Sequence, residues 1–388
     1  MSASIARSDL PLSRVHVRSL DGVRGVALLL VLLHSLNVMD LNDASALSAA
    51  LEHVMDVGWI GVQLFFVLSG YLITGILLDT RESAGYLRNF FARRALRIWP
   101  LYYAVLAVFF IVLPLFHWGR APVVDGAEHQ VWLWLYLVNW VEPYGYGVRL
   151  FSHFWSLAVE EQFYLVWPFV VRWCSLRQIT WVAAGMVVVS LLTRLGMSFA
   201  QVSEDAIYMF TVCRMDALAA GALVAIAMRS PSWPRRLARL GWPAVTLFIL
   251  GALVTHGYHR TGAVPQVLGY SILTIVFAAF VGICAQESSR RLRSAMQASA
   301  LVSVGRYSYG MYIFGMLLHR LVGEPFIERH EWIKASAGGA VCYTLLMISL
   351  TYVVAAISYH AFEIRWLRLK RSFTPQPDSI SAADRVAT

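Results

Sequence analysis

The chain has 388 residues, of which 58% are hydrophobic and only 14% are charged. A soluble globular domain is about 45–50% apolar and about 25% charged, so this composition excludes an ordinary soluble domain and indicates a polytopic membrane protein. The formal net charge of +9 does not indicate nucleic-acid binding, because the basic residues form short clusters between apolar runs. The four cysteines show neither disulfide nor metal-site spacing, and we expect no metal site.

The apolar runs predict an all-α protein with about ten transmembrane helices, since a span needs about 20 mainly apolar residues. The predicted spans are 23–41, 58–78, 97–117, 154–173, 179–199, 207–228, 241–257, 265–285, 303–322 and 337–362. They predict one membrane domain over residues 20–366, between a cytoplasmic N-terminal tail (1–19) and a cytoplasmic, disordered C-terminal tail (367–388). Residues 131–141 are too few to span and rich in Trp, which predicts an interfacial or re-entrant segment.

The distribution of charge predicts the orientation of these spans. With ten spans and a cytoplasmic N-terminus, the arginine-rich loops, such as 229–239 and 290–293, lie on the inner side and the acidic loops on the outer side. This arrangement follows the positive-inside rule. Counting 131–141 as a further span would place the arginine clusters after it outside. We therefore predict that both termini are cytoplasmic.

Two polar residues interrupt the first predicted span. Arg24 is followed by nine apolar residues and then by His34. A charged residue at a helix centre costs about 2.5–3.5 kcal/mol on insertion scales, so such residues usually face a polar cavity and have a function there. Ten residues of helix rise about 15 Å, so Arg24 and His34 lie at two depths and cannot be mutual partners. A buried histidine bonded to a neighbouring helix is the alternative for His34.

A basic segment precedes the third predicted span. Arg94 and Arg97 are three residues apart and project to one side of a helix. Clustered arginines near a membrane surface suit lipid headgroups or a ligand that carries phosphates. Ordinary positive-inside anchoring explains the cluster equally well. Ser69 lies deeper, in the second span, where the following glycine favours close helix approach.

A pair of carboxylates lies in the span at 154–173. Ser156, Glu160 and Phe163 share one helical face, and Glu161 lies about 100° further round. Two carboxylates in an apolar helix suggest that one of them orients or charge-pairs a histidine, as in a base relay. The alternative is a structural ion pair with Arg214, in the span at 207–228.

Five segments, in order along the chain, resemble motifs of acyltransferase family 3, whose members are integral-membrane enzymes that O-acylate glycans and other acceptors from an acyl-CoA donor. The matching segments are LDGVRGVALLLVLLHS (20–35), GVQLFFVLSGYLI (61–73), Arg94-Ala95-Leu96-Arg97, Trp155–Pro168 and Arg214–Gly221. One departure is that the family usually has a histidine where Gly315 follows Tyr312-Ile313-Phe314. This argues against a role for the span at 303–322 in the chemistry.

The resemblance implies a reaction and a role for each residue. Acyl-CoA, acetyl-CoA above all, is the co-substrate, and no cofactor is permanently bound. Arg24, Arg94 and Arg97 would hold its phosphates, and His34 would act as general base on an acceptor hydroxyl. Glu160 or Glu161, with Glu160 preferred, would orient His34. Ser69, Tyr71, Trp155, Ser156 and Arg214 are implied in substrate binding.

The acceptor implied by the family is a surface or lipid-linked glycan, in the bacterial cytoplasmic (inner) membrane. Acylation of a small molecule such as a macrolide is an alternative, and membrane lipids are the expected surroundings. Direct attack by the acceptor is the simplest course, but the residues equally allow an acyl-histidine or a Ser69 intermediate. Intramembrane Arg, His and Glu also suit a proton-coupled permease, although no inverted repeat is visible. A catalytically inactive membrane sensor is a third alternative. The oligomeric state is not predicted.

Overall fold

The computed structural model describes residues 17–39, 46–116, 125–230, 260, 262–287 and 289–373, together with 243, 245–247 and 249–250. Across these residues the protein is helical and contains no strand. The predicted all-α class is confirmed there. Most of the predicted span at 241–257 and most of the N-terminal tail lie outside the described residues.

Nine helices of 17 residues or more form the body of this part of the chain, and they coincide with nine of the predicted spans. They are α1 (Arg18–Ser35), α2 (Ile60–Asp79), α3 (Tyr86–Ala107), α4 (Trp155–Trp173), α5 (Leu176–Phe199), α6 (Thr211–Ala227), α7 (Tyr270–Gln286), α8 (Ser299–Leu318) and α9 (Ala337–Ser358).

Shorter helices and turns connect or extend these nine. The short α-helices are Ala46–Asp56, Leu113–Leu115, Val131–Trp134, Val138–Val141, Glu204–Met209, Arg290–Met296, Glu324–Glu328, Trp332–Ala335 and Ile364–Leu369. The 3₁₀ turns are Val57–Trp59, Ala127–His129, Glu142–Tyr144, Arg149–Phe154 and Lys370–Phe373. Four π-helical turns, Val108–Val112, Pro265–Gly269, His319–Gly323 and Tyr359–Glu363, adjoin long helices.

Six helical stretches within the described residues are long and apolar enough to cross a membrane. They are Leu51–Asp79, Tyr86–Leu115, Leu176–Phe199, Glu204–Ala227, Pro265–Gln286 and Ala337–Phe373. Three of the nine helices, α1, α4 and α8, are not among them, and α1 and α4 each carry three charged residues within 18 to 19 positions. The multi-pass character is therefore supported, whereas the count of ten and the orientation of the termini stay predictions.

The core is centred on α2, which packs against α1, α4, α6 and α7. A second contact surface joins α1 to α8, and α8 in turn packs against α9. Two glycines show how close these contacts are. A Cβ at Gly70 of α2 would lie 1.9 Å from the carbonyl oxygen of Leu218 in α6. A Cβ at Gly305 of α8 would lie equally close, 1.9 Å, to the carbonyl oxygen of Asp21 in α1. The predicted role of Gly70 in close helix approach is confirmed.

A buried ion pair joins α5 to α6. Arg194 Nη1 lies 2.9 Å from Asp216 Oδ2, and both side chains are almost fully buried. Arg194 also donates to the carbonyl of Cys213 and to the hydroxyl of Ser271. Asp216 therefore pairs with Arg194 and not with its near neighbour Arg214. A buried charge that lost such a partner would cost about 3–5 kcal/mol.

Two connecting segments bear on the predicted boundaries. Residues 131–141 form two four-residue helices separated by a turn at Tyr136, whose φ is 54°. They are not one continuous helix, as expected for a segment that does not span. At the other end, helical structure continues through Ile364–Leu369 and Lys370–Phe373, seven residues beyond the predicted start of the tail at 367.

Candidate active site

One cavity collects three of the predicted site arginines, and we call it the arginine cavity. Arg24 reaches it from α1, Arg94 and Arg97 from α3, and Glu160 from α4. Ser69, Ser156 and Tyr164 also line it. Helices that are far apart in sequence therefore deliver the polar residues to one place. The three arginines predicted to act together do lie together.

The positive charge of the arginine cavity is only partly balanced. Arg24 Nη1 pairs with Asp21 Oδ1 at 3.2 Å. The Arg94 guanidinium lies over the ring of Tyr164, 5.0 Å from its centroid. Within the described part of the chain, neither Arg94 nor Arg97 makes an ion pair. Like charges brought together in a partly desolvated site repel one another, so this arrangement favours an anionic ligand.

A chain of hydrogen bonds crosses one wall of the arginine cavity. The hydroxyl of Tyr164 donates to Glu160 Oε2 at 2.9 Å, and the same hydroxyl is in close contact with Ser69 Oγ. Glu160 and Tyr164 are one helical turn apart on α4, whereas Ser69 comes from α2. The chain fixes the carboxylate within the cavity that holds the arginines.

A second cavity contains His34, and we call it the histidine cavity. His34 reaches it from the end of α1, and Trp59, Trp155, Tyr208 and Arg260 also line it. Four of these five side chains are aromatic rings, and Trp155 and Tyr208 lie with centroids 4.8 Å apart. An aromatic-lined cavity with a few polar groups is typical of a small-molecule or sugar site.

The imidazole of His34 has one nitrogen to spare. Its Nδ1 is buried and has no hydrogen-bond partner among the described residues. The backbone of Asp56 lies close to the ring, and the Asp56 carboxylate accepts from Asn37 Nδ2 at 3.1 Å. A neutral imidazole carries a proton on one nitrogen and an acceptor lone pair on the other. This is the state that a general base requires.

The structure does not bring Glu160 to His34. Glu160 lines the arginine cavity and accepts from Tyr164, whereas His34 lines the histidine cavity. Glu161 lies in a separate groove between α3 and α4, where Trp99 Nε1 donates to it at 3.3 Å. Since both carboxylates point toward α3 or α2, the preferred pairing of Glu160 with His34 has no support in this geometry.

Arg214 does not form the ion pair with Glu160 or Glu161 that was the alternative interpretation of the sequence. It is fully buried, and its guanidinium lies 4.4 Å from the ring centroid of Tyr270 and 5.1 Å from that of Tyr208. None of its three nitrogens has a hydrogen-bond partner among the described residues. Cation–π contacts therefore hold this charge. It lies behind Trp155 and Tyr208 and lines neither cavity.

The remaining predicted substrate residues divide between the cavities. Ser69 and Ser156 line the arginine cavity, and Trp155 lines the histidine cavity. Tyr71 lines neither, because its side chain is buried in the core around α2.

Tyrosines are the lining residues that the sequence interpretation missed. Tyr309 and Tyr312 of α8 and Tyr164 of α4 all line the arginine cavity. The two on α8 are three residues apart and so share a helical face. That spacing was the available signal, but an aromatic pair at helical spacing is equally typical of a packed core.

Together the fold and these two cavities define a membrane protein with a cationic site and a histidine site at different depths. A family model described as "Acyltransferase domain" matches residues 17–360 of the chain. The chain belongs to this acyltransferase family, as the motif resemblance indicated.

Curated relatives extend over nearly the whole chain. The peptidoglycan O-acetyltransferase OatA of Listeria monocytogenes is 26% identical over 377 residues, which cover 90% of this chain and 56% of OatA. "Putative peptidoglycan O-acetyltransferase YrhL" of Bacillus subtilis (strain 168) is 27% identical over 372 residues, which cover 90% of this chain and 54% of YrhL. The chain thus spans little more than half the length of these relatives. No solved structure gives a significant match.

Proposed function

We propose that the protein is a membrane O-acyltransferase that moves an acetyl group from acetyl-CoA to a hydroxyl of a glycan. The carrying observation is the pair of adjacent cavities, one lined by three arginines and the other by a histidine with a free ring nitrogen. A phosphate-bearing donor suits the first, and a base for an acceptor hydroxyl suits the second. The family match supports acyl transfer as the reaction.

For the donor, Arg24, Arg94 and Arg97 would bind the phosphates of the CoA moiety. Guanidinium groups bind phosphate oxygens through paired hydrogen bonds, and such charge-assisted bonds are about twice as strong as neutral ones. Among the described residues, neither Arg94 nor Arg97 is within ion-pair distance of a carboxylate, although the charge of Glu160 in the same cavity acts on Arg94. In the orientation that the loop charges predict, this cavity faces the cytoplasm, where acyl-CoA is made.

For the chemistry, His34 would take the proton of the acceptor hydroxyl as the oxygen attacks the thioester carbonyl. The new acyl C–O bond forms, the C–S bond breaks, and the proton passes from His34 to the CoA thiolate as it leaves. We favour this direct course over a Ser69 intermediate, because Ser69 is engaged with Tyr164 in the arginine cavity. The alternative is an acyl-histidine intermediate, in which His34 attacks the thioester as the nucleophile and the acceptor hydroxyl then attacks the acyl-imidazole.

The two glutamates receive revised roles in this proposal. Glu160 would fix Tyr164 and Ser69 at the donor cavity and moderate its positive charge, rather than orient the imidazole. Glu161 would position Trp99 at the groove between α3 and α4. The backbone of Asp56, which lies close to the imidazole, would take over the orienting role for His34.

For the acceptor, a surface or lipid-linked glycan at the bacterial cytoplasmic membrane is best supported. OatA and YrhL are named for peptidoglycan O-acetylation. The rings of Trp59, Trp155 and Tyr208 in the histidine cavity provide faces on which a sugar ring can stack. A macrolide would use the same apolar surfaces and is the second acceptor class to assay.

The decisive experiment uses purified protein in lipid vesicles with radiolabelled acetyl-CoA and an N-acetylglucosamine oligosaccharide as probe acceptor. His34→Ala should lower acetyl transfer by about 100-fold or more, the usual contribution of a general base. His330→Ala, at a half-buried histidine that lines neither cavity, is the matched control and should keep full transfer. Full activity of His34→Ala would refute the catalytic role. Uptake of label without acetyl transfer would instead favour a permease. If the wild-type protein gave neither uptake nor transfer, a catalytically inactive sensor would be favoured.

A further inference from the structure

The two cavities meet at two side chains. Of the described residues that line the arginine cavity, only Val62 of α2 and Tyr312 of α8 also line the histidine cavity. Other lining residues belong to one side or the other: Ser156 faces the arginine cavity and its neighbour Trp155 the histidine cavity. Val62 and Tyr312 are therefore the wall between the two cavities, and we use that name for the pair.

The tyrosine of the wall is held on two sides. Its hydroxyl lies 2.6 Å from Ser156 Oγ and also donates to the backbone carbonyl of His153. The ring packs edge-on against that of His153, with centroids 5.5 Å apart. His153 in turn bonds to α8 through the carbonyl of Ile313, at 3.3 Å. Contacts on both the hydroxyl and the ring keep the ring of Tyr312 in one position.

Val62 closes the other half of the wall from α2. Its side chain is 7% exposed, and it lies on the same face of α2 as Phe66, which is one helical turn further along. Gly61, the residue before it, lies against Ala27 and Val31 of α1, so the valine lies between the levels of Arg24 and His34 on that helix. The wall is thus made by one branched aliphatic and one aromatic side chain on rigid helices.

We propose that the wall formed by Val62 and Tyr312 sets the length of the acyl group that the enzyme transfers. This inference rests on the proposed function. If CoA is held in the arginine cavity and the base lies in the histidine cavity, the thioester carbonyl has to lie at the wall. The remainder of the acyl chain then has to fit beside these two side chains.

The size of the effect follows from packing. Side chains in a packed interior leave few gaps larger than a water molecule, so each added methylene of an acyl group displaces a neighbour. A pocket that discriminates one methylene gains about 1–3 kcal/mol, or about 10–200-fold in kcat/KM. Among the acyl groups compared, acetyl has a single methyl group and needs the least space beside Val62 and Tyr312. Removing wall atoms should therefore relax selectivity toward longer donors.

The test compares kcat/KM for acetyl-, propionyl- and butyryl-CoA in the purified full chain. Val62→Ala and Tyr312→Ala should each raise the ratio of propionyl to acetyl transfer by about 10-fold or more. Tyr312→Phe keeps the ring and removes only the hydroxyl, so it should keep the wild-type ratio even if its overall rate falls. Val62→Ala is a small change, so it tests the wall even where Tyr312→Ala fails to fold.

Two matched controls each enlarge one cavity at a residue that is not part of the wall. Leu72→Ala opens the arginine cavity, and Met209→Ala, on the short helix Glu204–Met209, opens the histidine cavity. Both should leave the acyl-CoA ratio at its wild-type value. An unchanged ratio in Val62→Ala, or an equal change in Leu72→Ala, would overturn the wall in an enzyme that otherwise works. Absence of acetyl transfer by the wild-type chain would instead overturn the proposed function.

Discussion

The guanidiniums of Arg24, Arg94 and Arg97 share one cavity but differ in how their charge is balanced. Arg24 has Asp21 as an ion-pair partner, whereas Arg94 rests on the ring of Tyr164. In the part of the chain described, Arg97 lines the cavity and forms no ion pair. The two arginines of α3 are therefore the residues that we expect to contribute most to the free energy of phosphate binding.

Replacing Arg94 should weaken donor binding. Arg94→Ala removes a charge-assisted hydrogen-bond donor worth about 1.5–3 kcal/mol, so the apparent KM for acetyl-CoA should rise by about 10-fold or more. Arg93→Ala is the matched control, because Arg93 is the adjacent arginine of the same helix but does not line the cavity. Initial rates at varied acetyl-CoA concentrations measure both. Equal effects of the two variants would mean that the cluster acts only as a membrane anchor.

Single residues were predictable from the sequence where spacing along one helix decides their position. Arg94 and Arg97 are three residues apart, and the structure finds them in one cavity. The sequence did not show that Glu160 and His34 line different cavities, because the placement of α4 relative to α1 depends on packing. Tyr164, one turn along the same helix, already satisfies that carboxylate. Tyr312 was missed because nothing in the sequence shows that two cavities meet at it.

At the scale of elements, backbone contact at glycine holds α2 against α6. A Cβ at Gly70 would meet the carbonyl oxygen of Leu218, and a Cβ at Gly221 of α6 would lie 2.0 Å from the carbonyl oxygen of Val67. Each glycine thus admits the backbone of the other helix. Small residues at such contacts let membrane helices pack closely where apolar burial offers no net gain over lipid.

Gly70→Ala should destabilise this contact, whereas Gly75→Ala on the same helix should not. A methyl at position 70 has only backbone to push against, and overpacking of this kind costs about 1–3 kcal/mol or more. No atom lies within 4 Å of a Cβ at Gly75, so there alanine should be neutral or slightly favourable by helix propensity. The midpoint of thermal unfolding in detergent measures both. Similar midpoints for the two variants would contradict the close packing of α2 and α6.

Elements were predictable from hydropathy, but their ends and irregular turns were not. The apolar runs located nine long helices, because burial in lipid requires a continuous helix of a given length. The predicted third span began at residue 97, yet α3 begins at Tyr86 and carries its arginines within the helix. A prediction from hydropathy places the start of a span at its first apolar residues and so misses the polar turns at the beginning of the helix. The π-helical turns, such as Val108–Val112, have no sequence signal of this kind.

At the scale of the whole molecule, the depth of the two cavities gives the reaction a direction. Arg24 and His34 are on one helix, about 15 Å apart along its axis by the rise per residue. The donor end of the site therefore lies nearer one membrane face than the base does. Which face this is depends on the orientation of the chain, which the loop charges predict but the structure does not fix.

Cysteine labelling in intact cells should decide this orientation. In a background with the four native cysteines replaced by serine, Ala84→Cys lies between α2 and α3, on the predicted cytoplasmic side, and Glu128→Cys lies in the predicted outer segment. Both positions are exposed. A membrane-impermeant thiol reagent should label Glu128→Cys in intact cells, and Ala84→Cys only after the membrane is opened. The reverse pattern would place the arginine cavity away from the cytoplasm. It would then be closed to cytoplasmic acetyl-CoA, and the donor assignment would fail.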